Sequence, residues 1–164
     1  MFLTEYLPPV EYPKTELGKD TFNKAIGKIN CQNLENLFIF SHFPLISQQD
    51  YANKNNANYA KHYLDGEELL NRLDKLISGR IFCFSAHQHW HRIIDGYKVF
   101  YCMTASIIEY PMEARIISIE NNKFAVSTIE TACPEIAEMS LNSAKWVYGL
   151  KNDRDFEIKN IKII

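Results

Sequence analysis

Two short apolar runs in this chain each stop at a histidine-bearing polar tip. Leu37-Phe38-Ile39-Phe40 runs into Ser41-His42-Phe43-Pro44, and Ile81-Phe82-Cys83-Phe84 runs into Ser85-Ala86-His87-Gln88-His89. Continuous apolar segments of that length predict strands buried on both faces. Between them, Asp65-Gly66-Glu67-Glu68 predicts a helix start, with Asp65 as N-cap and Glu68 at the capping-box position. Leu69, Leu70, Leu73, Leu76 and Ile77 supply one apolar stripe, and Ser78-Gly79 ends it. Strand, helix, strand in that order is a βαβ unit, so the two strands should be parallel neighbours. Their tips then lie at the carboxyl edge of the sheet, where open α/β sheets bind ligands.

The flanking pattern fills in the rest. Residues 1–19 hold Pro8, Pro9 and Pro13 and read as an extended arm. Asp20 to Ile29 predicts a helix capped by Asp20, with Phe22, Ile26 and Ile29 on one face. Ser47 to Ala60 reads as a surface loop with one short helix. Asp95-Gly96, between His91–Ile94 and Lys98–Met103, marks a hairpin, and Asn121-Asn122 marks a second between Ala114–Ile119 and Lys123–Ile129. Pro134 to Leu150 predicts a helix packed through Ile136, Met139, Ala144 and Val147, and the tail (Phe156, Ile158, Ile161, Ile163) could add an edge strand. The fold class is α/β, a mixed β-sheet with flanking helices. The 164 residues form one domain, with the arm at 1–19, the sheet-bearing region at 20–130 and a C-terminal helix and tail at 131–164.

Composition narrows the function classes. A formal charge of −2 with no densely basic stretch gives no electrostatic footprint for nucleic acid. No apolar run approaches the roughly 20 residues of a membrane helix. Met1 to Val10 has an acidic residue and two prolines where a secretory leader needs a basic end and an apolar run. Cys31, Cys83, Cys102 and Cys133 are scattered, without a C-x-x-C pair, and read as reduced. The expectation is a cytoplasmic protein that binds neither membrane nor nucleic acid.

The histidines carry the chemistry. Alternate residues of an extended segment point the same way, so H-x-H at 87–89 should bring two imidazoles into one small volume. His42, from the neighbouring strand tip, adds a third nitrogen, and neutral imidazole suits Zn, Mn or Fe. His91 continues the alternation as a ligand, a substrate-side residue or a half-exposed polar group. Arg92 could meet a phosphate, and His62 lies in polar surroundings and reads as solvated. Trp90, Tyr97, Tyr101 and Tyr110 could wall a site or serve as core.

Phe38-Ile39-Phe40-Ser41-His42-Phe43-Pro44-Leu45 resembles the (S/G)-H-x-P-L block of calcineurin-like metallophosphoesterases. Phe82-Cys83-Phe84-Ser85-Ala86-His87-Gln88-His89 resembles their last block, G-H-x-H after a strand, with Ala86 in place of Gly. The intervening helix and the run from Ile94-Asp95-Gly96 to Tyr110-Pro111 also match that layout, so the resemblance covers roughly residues 20 to 130. It implies the C-terminal half of a four-layer α/β/β/α sandwich. It also implies phosphomonoester or phosphodiester hydrolysis by metal-activated water, with His42 and His87 on one metal and His89 on the other. The family's D-x-H, G-D-x-x-D and G-N-H-(D/E) blocks are absent from this sequence. Without a bridging carboxylate two cations at that separation repel, so a single ion on His42, His87 and His89 is the reduced expectation.

A half-sandwich exposes sheet surface, which predicts self-association or a complementing N-terminal subunit. The competing reading is a non-catalytic metal-binding or oligomerising module. Other chemistries fit worse. His89 is followed by Trp90-His91-Arg92 rather than the x-D-H of metallo-β-lactamases, and no Glu follows soon enough for a cupin. Cys83 and Cys102 sit in apolar strands, unsuited to nucleophilic work. No nucleophile elbow, P-loop or dinucleotide fingerprint is present.

Overall fold

Strand β2 (Leu37–Ser41) and strand β3 (Ile81–Ser85) are parallel and in register, with Phe38 opposite Phe82 and Ser41 opposite Ser85. The computed structural model describes residues 2–5, 16, 18–30, 34–57, 60–131, 134–140 and 145–159. β1 (Phe2–Glu5) adds in parallel to β2, so these residues of the expected arm are a sheet strand; Pro8, Pro9 and Pro13 lie outside the described residues. The first hairpin, β4 (Arg92–Asp95) and β5 (Val99–Met103), closes the other flank: β5 pairs parallel with β3 and β4 lies antiparallel outside it. The mixed five-stranded sheet therefore runs β1-β2-β3-β5-β4.

The second hairpin builds its own sheet. β6 (Glu113–Glu120) and β7 (Lys123–Glu130) turn through Asn121 and Asn122, whose φ values of 48° and 60° are those of a type I′ turn. β8 (Phe156–Lys159) then pairs with β7, as the alternation at Phe156 and Ile158 suggested; Ile161 and Ile163 lie outside the described residues.

Strand alternation sends two cores in opposite directions. Leu37, Ile39, Ile81 and Cys83 face α1 (Lys19–Asn30) and α3 (Gly66–Asp74), meeting Phe22, Ile26, Ile29, Leu69, Leu70 and Leu73. Phe38, Phe82, Phe84 and Phe100 face the second sheet and meet Phe124 and Val126. Phe124 sits at 4.6 Å from Phe82 and 6.3 Å from Phe38, while Phe156 sits at 5.1 Å from Phe100. β7 and β8 thus lie over the β2-β3-β5 part of the first sheet. The described layers are helices, mixed sheet and antiparallel sheet.

Several local expectations change. α1 starts one residue early, because Gly18 at φ 79° offers its carbonyl to the Phe22 N–H at 3.0 Å; Gly18, not Asp20, precedes the first turn. Asp65 occupies the N-cap of α3 but its side chain makes no capping bond, so the expected capping box is not formed. Leu76 and Ile77 lie past the helix end, although Ile77 is still buried. The short helix expected within Ser47–Ala60 is α2 (Gln49–Lys54). The single helix expected from Pro134 to Leu150 is instead α4 (Pro134–Met139) and a 3₁₀ turn (Lys145–Tyr148). Ile136 and Met139 are exposed while Ala137 is buried, and Ala144 lies outside the described residues. A last helical turn, α5 (Lys151–Arg154), leads into β8. No helix among the described residues is long and apolar enough to cross a membrane.

Phe124 has no exposed surface and touches four aromatic rings of the facing sheet. Phe124→Ala is expected to cost about 3–5 kcal/mol, read as a drop in the urea midpoint with little change in slope.

Candidate functional site

Because Ser41 and Ser85 are opposed, the residues after them come off the sheet side by side. The Ala86 N–H donates to the His42 carbonyl at 3.1 Å, holding the two tips together. His42 Nε2 then lies 3.0 Å from His87 Nδ1. Two imidazole nitrogens at that distance share either a proton or a cation. Ligands about 2.1 Å from one ion stand roughly 3.0–3.4 Å apart, so this pair fits as two donors to a single metal. Phe43 packs against both rings, with centroids 5.1 Å from His42 and 3.9 Å from His87.

Burial first, and then the charge of His89, holds His42 below the usual imidazole pKa. His87 is pushed down to about 4, by burial and then by His42, Lys61 and His89. Both rings are therefore neutral at pH 7, the form that binds metal.

The H-x-H segment is not extended. His87 and His89 have φ values of 62° and 58°, in the left-handed region that costs a non-glycine residue roughly 1 kcal/mol or more. The alternation expected of a strand therefore fails here, and the two side chains take different partners. His87 meets His42, whereas His89 Nδ1 pairs with the Glu109 carboxylate, both groups about half exposed. Among the described residues no three His, Cys, Asp or Glu side chains form a group able to hold a metal. The expected three-histidine set is thus a contacting pair plus a neighbour turned aside.

His91 and Arg92 are placed elsewhere. His91 is fully buried and both ring nitrogens are committed: Nδ1 accepts from the Ala105 N–H at 3.3 Å, and Nε2 faces Glu113 at 2.9 Å. Arg92 donates to Gln48 and lies over the Tyr51 ring at 4.4 Å. Trp90 is buried against Trp146, Tyr97 is fully exposed at the hairpin tip, and Tyr110 lies 6.3 Å from Tyr148. His62 is half-buried, and its Nδ1 lacks a partner among the described residues, so it is not simply solvated. Cys83 and Cys102 are buried free thiols; burial pushes Cys83 far up and Cys102 to about 11. Cys31 and Cys133 lie outside the described residues.

Beside the tips a cavity of about 600 Å³ opens between the sheets. Ser41, Ser85, Ala86 and Thr104 form its strand-end wall, with Phe40 and Ile117 among its apolar lining. Sequence reasoning gave Glu109 no part in the site. It also missed Glu113 and Arg154, whose bidentate pair at 2.5 and 2.6 Å backs His91. Only the fold brings these residues together, since they come from distant loops and strands.

No family model, no curated protein and no solved structure matches this chain.

Glu113, with 2% of its side chain exposed, is the buried centre of this network. Burial opposes its charge, but hydrogen bonds from His91 and Arg154 prevail and hold its pKa below the ordinary carboxylate value. A lowered carboxyl pKa contributes stability above the unfolded value of about 4.3, and that contribution is lost as pH falls through the folded value. Wild-type protein should lose urea resistance below about pH 4. Glu113→Gln should cost about 3–5 kcal/mol at neutral pH and flatten that acid limb.

Proposed function

We propose that this chain is the C-terminal half of a calcineurin-like metallophosphoesterase, hydrolysing phosphomono- or diesters when another chain supplies the remaining ligands. The observation that carries this reading is the His42–His87 contact at the carboxyl ends of two adjacent parallel strands, beside a cavity able to take an ester's organic group. The layering supports it as well, with helices, mixed sheet and second sheet in sequence. So do β1 and β6, each of which ends its sheet among the described residues and leaves an edge where a further strand could add.

His42 and His87 would hold one divalent ion of the Mn, Zn or Fe type, with His89 as the adjacent donor. Once bound, such an ion polarises a phosphoryl oxygen and lowers the pKa of attacking water. The chain's own contribution is positional. The neutral imidazoles need no deprotonation before ligation. Lys61 carries its charge close enough to depress His87, and that charge favours a phosphate anion. Phe40 and Ile117 give the organic part of the ester a dry wall. We place the chain in the cytoplasm, where Cys83 and Cys102 stay reduced, as a homo-oligomer or with a complementing N-terminal subunit.

A second reading, a non-catalytic metal-binding or oligomerising module, draws on two features. His89 is turned toward Glu109, and Ile107 and Ile108 are 61% and 78% exposed beside the site.

Metal content after incubation with Mn or Zn and desalting tests the proposal. One ion per chain is expected, lost in both His42→Ala and His87→Ala, with negligible turnover of bis(p-nitrophenyl) phosphate by the chain alone. Retention of no ion by the wild type would refute the metal site. Two retained ions with brisk turnover would refute the half-site.

A further inference from the structure

We infer that the cavity between the sheets is a slot for a planar aromatic ring with a hydrogen-bonding substituent, held between the Phe40–Phe84 wall and the flat face of the Arg115 guanidinium. The inference goes beyond the reading above and needs no metal, because none of the described histidines lines the cavity. Where both hold, the aromatic ring is the ester's organic group. Phe40 and Phe84 stand near the ends of adjacent parallel strands, with ring centroids 4.8 Å apart and planes 15° from parallel. Both belong to the core between the sheets, and β6 brings Ile117 and Arg115 to the same cavity from the facing sheet. A flat ring entering there meets aromatic surface in offset or edge-on contact. The cavity, about 600 Å³, is of the size that takes small organic ligands.

Arg115 decides the ligand class. Its Nη1 donates to the Arg154 carbonyl at 2.8 Å and the Thr128 hydroxyl at 3.4 Å, and its Nη2 to the carbonyls of Met103 at 3.0 Å and Asp153 at 2.5 Å. The remaining donor, Nε, is buried and has no partner among the described residues. A carboxylate or phosphate binds guanidinium through accessible in-plane N–H groups, and that edge is closed here. Asp153 and Asp155 also offset the charge from nearby, while their oxygens accept from the N–H groups of Ile93, Leu150 and Thr128. What Arg115 can still offer is its flat face, and a cation fixed in one plane attracts the face of a ring. Polar recognition falls to the strand ends. Ser85 and Thr104 line the cavity, tied by the Thr104 N–H to the Ser85 carbonyl at 2.9 Å, and neither hydroxyl has a hydrogen-bond partner among the described residues. Each can donate or accept, which suits a hydroxyl, amine or carbonyl on the ring.

The test titrates the metal-free chain at neutral pH with naphthol, with its saturated counterpart decalol and with naphthoate, following backbone amides by nitrogen NMR. Naphthol should move the Phe84, Thr104, Arg115 and Ile117 amides and bind about tenfold tighter than decalol. Thr104→Val should weaken both alcohols alike, and Arg115→Lys, which keeps the charge but not the plane, should remove the difference between them. Arg115 also ties β6 to β5, so the wild-type comparison decides if that variant does not fold. Absence of naphthol binding, or shifts confined to other amides, would overturn the inference. Decalol binding as tightly as naphthol would overturn it in favour of a merely apolar groove, and naphthoate binding about tenfold tighter than naphthol in favour of an anion site. No probe carries phosphate and no metal is added, so a failed metal count above leaves this result standing, and the reverse.

Discussion

The in-register parallel pairing of β2 with β3 is the constraint from which the rest of the molecule follows. Both strands are covered on both faces, so each residue has an assigned side: Leu37, Ile39, Ile81 and Cys83 toward the helices, Phe38, Phe82 and Phe84 toward the second sheet. A slip of one residue would exchange the two sets and place phenylalanines where α1 and α3 pack. The same register opposes Ser41 with Ser85, and the chain leaves both strands at one level. The His42–His87 contact is therefore a by-product of core packing, requiring no dedicated scaffold of its own.

The second sheet is fastened at the same edge by polar groups. Arg115 is largely buried, and its guanidinium donates to the carbonyls of Met103 and Arg154 at 3.0 and 2.8 Å, tying β6 to the end of β5 and to α5. Asp153 accepts from the Ile93 N–H at 2.8 Å and so covers the outer edge of β4. Glu113 joins His91 to Arg154, whose guanidinium lies 3.6 Å over the Tyr148 ring. Such groups are stable in a dry interior when their donors find acceptors; here Arg115 Nε alone of this network's side-chain donors is buried without one among the described residues. They also explain why the segment after Leu150, polar in sequence, is an integral part of the fold.

The readable parts of the sequence were those whose signal is local. The apolar runs at 37–40 and 81–84 fixed strand type, and the pairs Asp95-Gly96 and Asn121-Asn122 located both hairpins. The unreadable parts depend on tertiary partners. Phe2–Glu5 is a strand only because β2 offers an edge. Residues 134–150 carry helical spacing, yet Ile136 and Met139 are exposed among the described residues. At the site, His42 and His87 were legible because strand ends are legible. The divergence of His89 was not, since left-handed backbone at a non-glycine position has no signature in composition or period. Glu109 was invisible for a further reason: it stands twenty residues along the chain from His89, in the loop between the two sheets.

The left-handed histidines bear on how this loop changes over evolutionary time. Glycine adopts that backbone freely, whereas histidine there is strained. Random substitution filtered for folding alone would therefore favour glycine at exposed position 89, while at position 87 the relief of the backbone is set against the lost contact with Phe43. Histidine at position 89 is the costlier choice for folding. Its persistence in descendants of this chain would record selection on the imidazole itself, and its loss would date the point at which it ceased to matter.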